Sequence, residues 1–257
     1  MEYIDTHCHL ADEAFGSSQD SVIERALHAG VSMMLQADID SSERDAMFAV
    51  VDRHPDCLRP MLGLYPGSVG ADWQDEIDKM IPWLDLRDDI VAIGEIGLDY
   101  HYGAETAREQ KEALRVQLEI ASVRGLPVNI HLREATADFL DVLESCKGLD
   151  LRGNMHAYSG SYETWKRLQK YGQWYLGIGG VVTFKNASLQ QVVRDVPAEW
   201  LLLETDAPYL TPVPHRGTRN ESAYIPLIAA KVAELKGIPA EEVAQITTAN
   251  ARKLFQL

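Results

Sequence analysis

Eight short apolar runs, each separated from the next by an amphipathic stretch, restrict the folds open to this chain more than any other feature. The runs are Tyr3–His9, Val31–Ala37, Leu58–Leu64, Ile90–Ile96, Pro127–His131, Leu151–His156, Trp174–Gly179 and Trp200–Asp206. Between them lie helical patterns at Asp20–Ala29, Ser41–His54, Asp72–Leu84, Thr106–Arg124, Glu134–Ser145, Ser161–Lys170 and Ser188–Val193, and two more follow at Ser222–Leu235 and Ala240–Phe255. Strands that alternate with helices imply parallel strands joined by crossovers. Eight such units predict an α/β fold of the closed (β/α)8 TIM-barrel class with extra C-terminal helices, and an open doubly wound sheet is the alternative. Gly30 and Gly125 follow the first and fourth helices, as C-terminal caps often do. The chain has 257 residues, a length typical of one barrel. No Gly-rich linker, low-complexity tract or longer repeat divides it, so residues 1–257 read as a single domain.

The apolar runs end on residues that bind metals. His7 and His9 are two apart in a strand, so both imidazoles project from one face, while Cys8 between them faces the other way. Two neutral imidazoles side by side anchor zinc or another borderline divalent metal. Asp5 shares their face, either as an orienting acceptor for a histidine or as a structural carboxylate deeper in the barrel. Glu95, His131, His156 and Asp206 each stand at the predicted C-terminal end of another strand. In a barrel those ends converge on one region, and the loops that follow them form the active-site face. Five strand ends carrying only His, Glu or Asp predict a metal cluster of His7, His9, Glu95, His131, His156 and Asp206.

Six N/O ligands exceed what one tetrahedral zinc requires, which predicts two divalent ions. Glu95 is the natural bridge between them. His7, His9 and Asp206 then hold one ion, and His131 and His156 the other. Zinc, manganese and magnesium all suit such mixed ligation. The chemistry expected is hydrolysis by a metal-activated water, with Asp206 and Glu95 as the catalytic carboxylates. No Ser, Cys or Lys nucleophile with a partnered base stands out.

Charge and composition bound the partners. There are 39 acidic against 24 basic residues, a formal net charge of -15. Such a chain repels polyanions at long range and disfavours tight non-specific duplex binding, though not metal-assisted attack on a phosphodiester. No run of about 18 apolar residues suggests a membrane span, and the first residues lack the pattern of a signal peptide. Cys8, Cys57 and Cys146 are isolated and read as reduced thiols. A cytoplasmic location without an obligate protein partner is the expectation.

At these positions the chain strongly resembles the TatD family of metal-dependent deoxyribonucleases, within the amidohydrolase-like barrels. The resemblance rests on Asp5-Thr6-His7-Cys8-His9-Leu10, Gly94-Glu95-Ile96-Gly97-Leu98-Asp99-Tyr100, Pro127-Val128-Asn129-Ile130-His131-Leu132-Arg133, His156-Ala157-Tyr158-Ser159-Gly160 and Leu203-Glu204-Thr205-Asp206-Ala207-Pro208-Tyr209-Leu210, with Asn250-Ala251-Arg252-Lys253-Leu254-Phe255 at the end. It spans essentially the whole chain. It implies a (β/α)8 barrel, up to two divalent metals held by the same six residues, and hydrolysis of DNA phosphodiester bonds at strand ends or in single strands. Family members are also linked to removal of D-amino acids from tRNA, so aminoacyl-tRNA is the alternative substrate. A non-catalytic metal-binding barrel is the reading from another class.

The chain departs from the family at two places. Tyr65 stands where the family's Gly-x-His-Pro has histidine, and Ser222 stands where its Asn-Glu-Pro has proline. Tyr65 can donate a hydrogen bond but is not cationic near neutral pH. Among candidate substrate contacts, Arg133 shares the face of His131 and can clamp a phosphate. His215 and Arg216 lie in the irregular, Pro-rich stretch Ala207–Ala223 after the last strand, and Lys185 and Asn186 follow the seventh. His101 follows the Glu95 segment, and Tyr102, Tyr158 and Tyr209 offer stacking surfaces or rim packing.

Overall fold

The computed structural model describes residues 1–257. Its strands are β1 (Tyr3–Cys8), β2 (Val31–Gln36), β3 (Leu58–Leu62), β4 (Ala92–Asp99), β5 (Val128–Arg133), β6 (Arg152–Met155), β7 (Gln173–Ile178) and β8 (Leu201–Leu203). They form one sheet in sequence order, and every neighbouring pair is parallel. Seven helices connect them: α1 (Gln19–His28), α2 (Arg44–Arg53), α3 (Trp73–Leu86), α4 (Ala107–Arg124), α5 (Thr136–Ser145), α6 (Tyr162–Leu168) and α7 (Leu189–Asp195). The extra helices α8 (Ile225–Lys236) and α9 (Ala240–Phe255) follow β8.

The ring is closed by hydrogen bonds between its first and last strands, which decides against the open sheet. The Asp206 N–H donates to the His7 carbonyl at 2.9 Å and the His9 N–H to the Ala207 carbonyl at 2.8 Å. The Thr6 hydroxyl donates to the Leu203 carbonyl at 3.1 Å. Asp5 completes the seam by accepting from the Thr205 N–H at 2.9 Å and the Thr205 hydroxyl at 2.6 Å. Helices cover the outside of the ring, so strands such as β2 and β3 are apolar on both faces. Met34, Leu35, Leu58, Met61 and Leu62 are all fully buried. α9 packs across the seam from outside, with Ala251, Leu254 and Phe255 in one cluster with Ile4 and Leu202.

Element boundaries differ from expectation at informative places. β4 extends to Asp99 because its pairing with β5 continues from Ile96↔Ile130 to Asp99↔Arg133. Glu95 therefore lies inside its strand rather than at the end. β8 stops at Leu203, and Asp206 lies beyond it with φ 58, a left-handed conformation that no strand continues through. α2 starts at Arg44 instead of Ser41, because the Ser41 N–H and hydroxyl are both held by Glu76 at 3.0 Å. α5 starts at Thr136, since Glu134 also has a left-handed φ of 57. The expected C-terminal cap after α4 is observed: Gly125 has φ 66 and its N–H returns to the last turn.

Candidate metal centre

Six side chains converge at the C-terminal mouth of the ring. His7 in β1 and His9 just after it extend onto the same side, with their Nε2 atoms 3.0 Å apart. Glu95 arrives from β4 and Asp206 from the turn after β8. Glu95 Oε2 lies 3.3 Å from His7 Nε2 and 3.5 Å from His9 Nε2. Asp206 Oδ1 lies 3.5 Å from each of the same two nitrogens. The other oxygen of Glu95, Oε1, faces the opposite way, 2.8 Å from His131 Nδ1 and 3.7 Å from His156 Nε2.

This spacing fits divalent cations. Ligands about 2.0–2.2 Å from a four-coordinate ion are themselves separated by roughly 3.3–3.6 Å, and the five distances around His7 and His9 run from 3.0 to 3.5 Å. Donor atoms of His7, His9 and Glu95, of Glu95, His131 and His156, and of His7, His156 and Asp206 lie within 4.8 Å of one another. The first two groups share Glu95 through different oxygens, as a bridging carboxylate requires. The third group shows that His156 also adjoins the first pair. His7 and His156 stack with ring centroids 3.6 Å apart, so the two halves form one cluster.

A further layer orients the imidazoles. The His7 ring meets Asn129 Oδ1 through Nδ1 at 2.9 Å, leaving Nε2 toward the cluster. His156 meets Glu204 Oε1 through Nδ1 at 3.1 Å, and His131 meets Asp99 Oδ2 through Nε2 at 2.8 Å. A partner on the far nitrogen fixes the ring and raises the basicity of the near one. The sequence reading missed these three residues. The signal was present: Asn129 and Glu204 stand two positions before His131 and Asp206, on the same side of an extended chain. Asp5 makes no contact with an imidazole, and its role is the seam between β1 and β8. Cys8 points away from the cluster, with Gln36 donating to its Sγ at 2.9 Å.

Two glycines make room for this layer. A Cβ on Gly177 would come within 1.9 Å of Glu204 Oε2. Gly97, with φ 151, lets β4 approach β5 where a Cβ would lie 1.8 Å from the His131 carbonyl oxygen.

The cluster is strongly coupled without metal. Burial pushes the Glu95 carboxyl up, but the charges of His7 and His156 and hydrogen bonds from His131 and His7 overcome it, holding Glu95 well below the usual carboxylate range. Asp206 is lowered against burial in the same way by His156, His9 and His7. Burial disfavours the charged form of His156, yet Glu204 and Asp206 raise it to about 10. His7, stacked on His156, is lowered by burial and by that neighbour's charge. Asp99 is buried but is held at about 2 by hydrogen bonds from His131 and from the backbone of Tyr102 and His101.

The other candidate residues lie around this mouth. The Tyr65 ring stands edge-on to His131 at 5.1 Å, so the substituted position does face the cluster. Burial and the charges of Glu95, Asp99 and Asp206 push its phenol up, which keeps it protonated. The Arg133 guanidinium covers the Tyr102 ring at 4.8 Å, and that of Arg216 covers the Phe184 ring at 4.1 Å. His215 stacks on Tyr224 at 4.4 Å and lines an open groove with Tyr209 and Arg219. His101 turns to Glu134, 2.8 Å away, and does not join the ligands. Tyr158 is buried with its hydroxyl on the Ser161 carbonyl, whereas Tyr102 and Tyr209 are exposed.

Comparison with known proteins gives a consistent result. The family profile described as TatD related DNase matches residues 4–256. A Bacillus subtilis protein named uncharacterized metal-dependent hydrolase YabD is 38% identical over 254 residues, covering 98% of both chains. A Citrobacter koseri protein named 3'-5' ssDNA/RNA exonuclease TatD is 35% identical over 258 residues, again covering 98% of each. Among solved structures, the TatD homologue YJJV from Escherichia coli superposes with a TM-score of 0.91 at 29% identity, over 99% of this chain and 98% of its own.

Proposed function

The chain belongs to the TatD-related DNase family of metal-dependent hydrolases, and from that membership we propose that it cleaves phosphodiester bonds in DNA, at strand ends or within single strands. The observation that carries this reading is the division of Glu95, whose two oxygens face two separate imidazole sets. Paired-metal centres of this kind serve nucleases and phosphatases, where attacking and leaving oxygens both need charge stabilisation. The relative named as an ssDNA/RNA exonuclease supports the choice of nucleic acid.

The proposed ligands are His7, His9, Glu95 and Asp206 for one divalent ion and Glu95, His131 and His156 for the other. Zinc, manganese or magnesium bound there supplies Lewis-acid polarisation of a phosphoryl oxygen and lowers the pKa of a water. Asp206 is the general base. Its carboxylate is held ionised by the neighbouring imidazoles, so it can take a proton from the attacking water. It then returns that proton to the departing oxygen. Glu95 stays ionised and holds the two halves together. Tyr65 keeps its proton and offers a neutral donor to a phosphoryl oxygen. Arg133, His215 and Arg216 are the candidate contacts to the rest of the strand.

The test is hydrolysis of single-stranded DNA by the purified protein with magnesium, manganese or zinc, each with and without EDTA. Metal-dependent release of nucleotides that EDTA abolishes is the expected result. No release above background with any metal overturns the proposal. One observation favours a second reading, hydrolysis of the ester in an aminoacyl-tRNA: a neutral Tyr65 beside His131 suits a substrate with less charge at the reacting centre. A D-aminoacyl-tRNA deacylated orders of magnitude faster than DNA is cut would select it.

A further inference from the structure

Next to the backbone of Glu95 lies an ion pair that the hydrolytic chemistry does not use. Asp38, two residues past the end of β2, and Arg44, the first residue of α2, are only 1% and 2% exposed. Asp38 Oδ2 accepts from Arg44 Nε at 2.9 Å. We infer that this pair positions the metal centre: it ties the ends of β2 and β3 to the middle of β4, and so places Glu95 with one oxygen toward each ion. This rests on the paired-ion reading above.

The contacts run directly to the proposed bridge. The Glu95 N–H donates to the Asp38 carbonyl at 3.2 Å, so the residue that carries the pair also holds the backbone of the shared carboxylate. In the sheet, β3 separates β2 from β4. Beyond Leu62, where β3 ends, the segment after β2 bonds to β4 itself. Gly63 fits between them because it has no side chain. A Cβ there would lie 2.7 Å from Ile96 Cγ2, 2.9 Å from the Gly94 carbonyl carbon and 3.1 Å from the Glu95 carbonyl oxygen. The Gly63 N–H is bound to the pair as well, donating to Asp38 Oδ2 at 3.3 Å. One residue on, the Ile39 carbonyl accepts the Tyr65 N–H at 2.9 Å. A single short segment thus holds both Glu95 and Tyr65.

Stability does not account for the pair. Attraction between two buried charges offsets their desolvation only when the geometry is good and the remaining hydrogen-bonding capacity is met. Here Asp38 Oδ1 has no partner, and Arg44 Nη2 lies 2.9 Å from Oδ2 without the alignment of a hydrogen bond. Burial pushes the Asp38 carboxyl up to about 7 even beside Arg44. Arg44 also opens a helix, the end at which the dipole disfavours a cation. Replacing such a pair by apolar residues is often neutral or stabilising, and the best-attested use of one is to fix a single arrangement among several. The arrangement at stake here is narrow. Glu95 Oε2 must meet His7 and His9 while Oε1 meets His131 and His156, and a small shift of the β4 backbone would take one oxygen out of reach.

Electron paramagnetic resonance of the manganese-loaded full chain tests this, because ions that share a carboxylate give an exchange-coupled spectrum and separate ions do not. The variant is Asp38→Val/Arg44→Met, which makes the pair apolar and leaves every proposed ligand in place. The wild-type protein should show the coupled spectrum. The variant should bind manganese about 10–100-fold more weakly and, at saturating metal, show isolated ions. A merely structural pair would move the Tm and leave the coupling alone, so a variant that keeps the coupled spectrum overturns the inference whatever its Tm. If the double variant does not fold, Asp38→Asn decides by the same signal. It keeps the shape of the side chain but loses the charge-assisted bonds, which are roughly twice as strong as neutral ones. The coupled signal should weaken, and full retention overturns the inference. A wild-type protein that never shows coupling overturns the paired-ion reading itself, and the inference with it.

Discussion

At the residue scale, Glu95 is buried and Asp206 partly exposed, both carboxyls are lowered by the imidazoles of His7 and His156 among others, and the roles proposed for them differ with their geometry. Glu95 uses one oxygen on each side, whereas Asp206 brings Oδ1 toward His7, His9 and, at 3.9 Å, His156. Replacing them should separate metal binding from proton transfer. Asp206→Asn keeps a ligating oxygen but cannot accept the proton, so kcat should fall by about 10²–10⁴ while most of the bound metal is retained. Glu95→Gln removes the shared anion, so metal content per chain should fall along with the rate. Measuring metal stoichiometry beside kcat in each variant checks the assignment; an Asp206→Asn enzyme with wild-type kcat would contradict it. The six residues of the proposed cluster stood out in the sequence because each breaks an apolar run with a group able to ligate, and the structure brings their side chains together. Their sharing was legible only in part. No spacing rule announces that His156 stacks on His7, since that contact joins residues from β1 and the end of β6 across the mouth of the ring.

At the element scale, the apolar runs marked where strands lie, and the structure explains where their ends were misjudged. β4 is longer than its apolar run because Gly97 and Asp99 continue the pairing with β5. β8 is shorter because the chain turns left-handed at Asp206, and side chains of Thr6, Asp5 and Thr205, which periodicity does not count, add to the backbone bonds of the seam. The orienting residues Asn129, Asp99 and Glu204 went unread because a buried polar residue in a strand looks the same whether it serves packing or a ligand. β7 offers a direct test of that layer. It contributes no ligand, but Gly177 leaves room for Glu204. Gly177→Ala would place a methyl 1.9 Å from the Glu204 carboxylate, and that carboxylate is confined by Asn154 at 3.1 Å and His156 at 3.1 Å. Overpacking of this kind costs about 1–3 kcal/mol, and disturbing a ligand's orienting partner weakens metal binding by about 10–100-fold. Gly179→Ala, whose added carbon would approach no atom closer than 3.8 Å, is the matched control. Chemical denaturation and metal titration of the two variants should separate them; equal behaviour would show that Glu204 has room to move.

At the scale of the whole molecule, metal, proton and fold are coupled because the cluster joins strands from opposite sides of the ring. His7 comes from β1 and His9 directly follows it, Glu95 comes from β4, His131 from β5, and Asp206 follows β8, so the ions proposed to sit among them would cross-link the barrel mouth. Without metal, protons perform part of that work. His9 and His131 are raised, each by carboxylates that outweigh burial, and His156 is raised to about 10. A group whose folded pKa is raised contributes stability that is fully present below its unfolded value, about 6.5 for histidine, and is lost as pH rises through the folded value. The metal-free protein should therefore lose stability from neutral pH upward, with the His156 contribution fading toward about pH 10. Metal binding runs the other way, because the imidazoles must be unprotonated to ligate, so affinity rises with pH. The two trends add. The gap in Tm between metal-saturated and EDTA-treated protein should widen from about pH 6 to about pH 9. Each tenfold gain in affinity at fixed metal adds about 1.4 kcal/mol, which for a domain of this size is roughly 2–4 °C. Calorimetry with manganese or EDTA at three pH values across that span checks it. A gap that stays flat or narrows would mean that protons and metal do not compete for these imidazoles, and that the ions bind elsewhere.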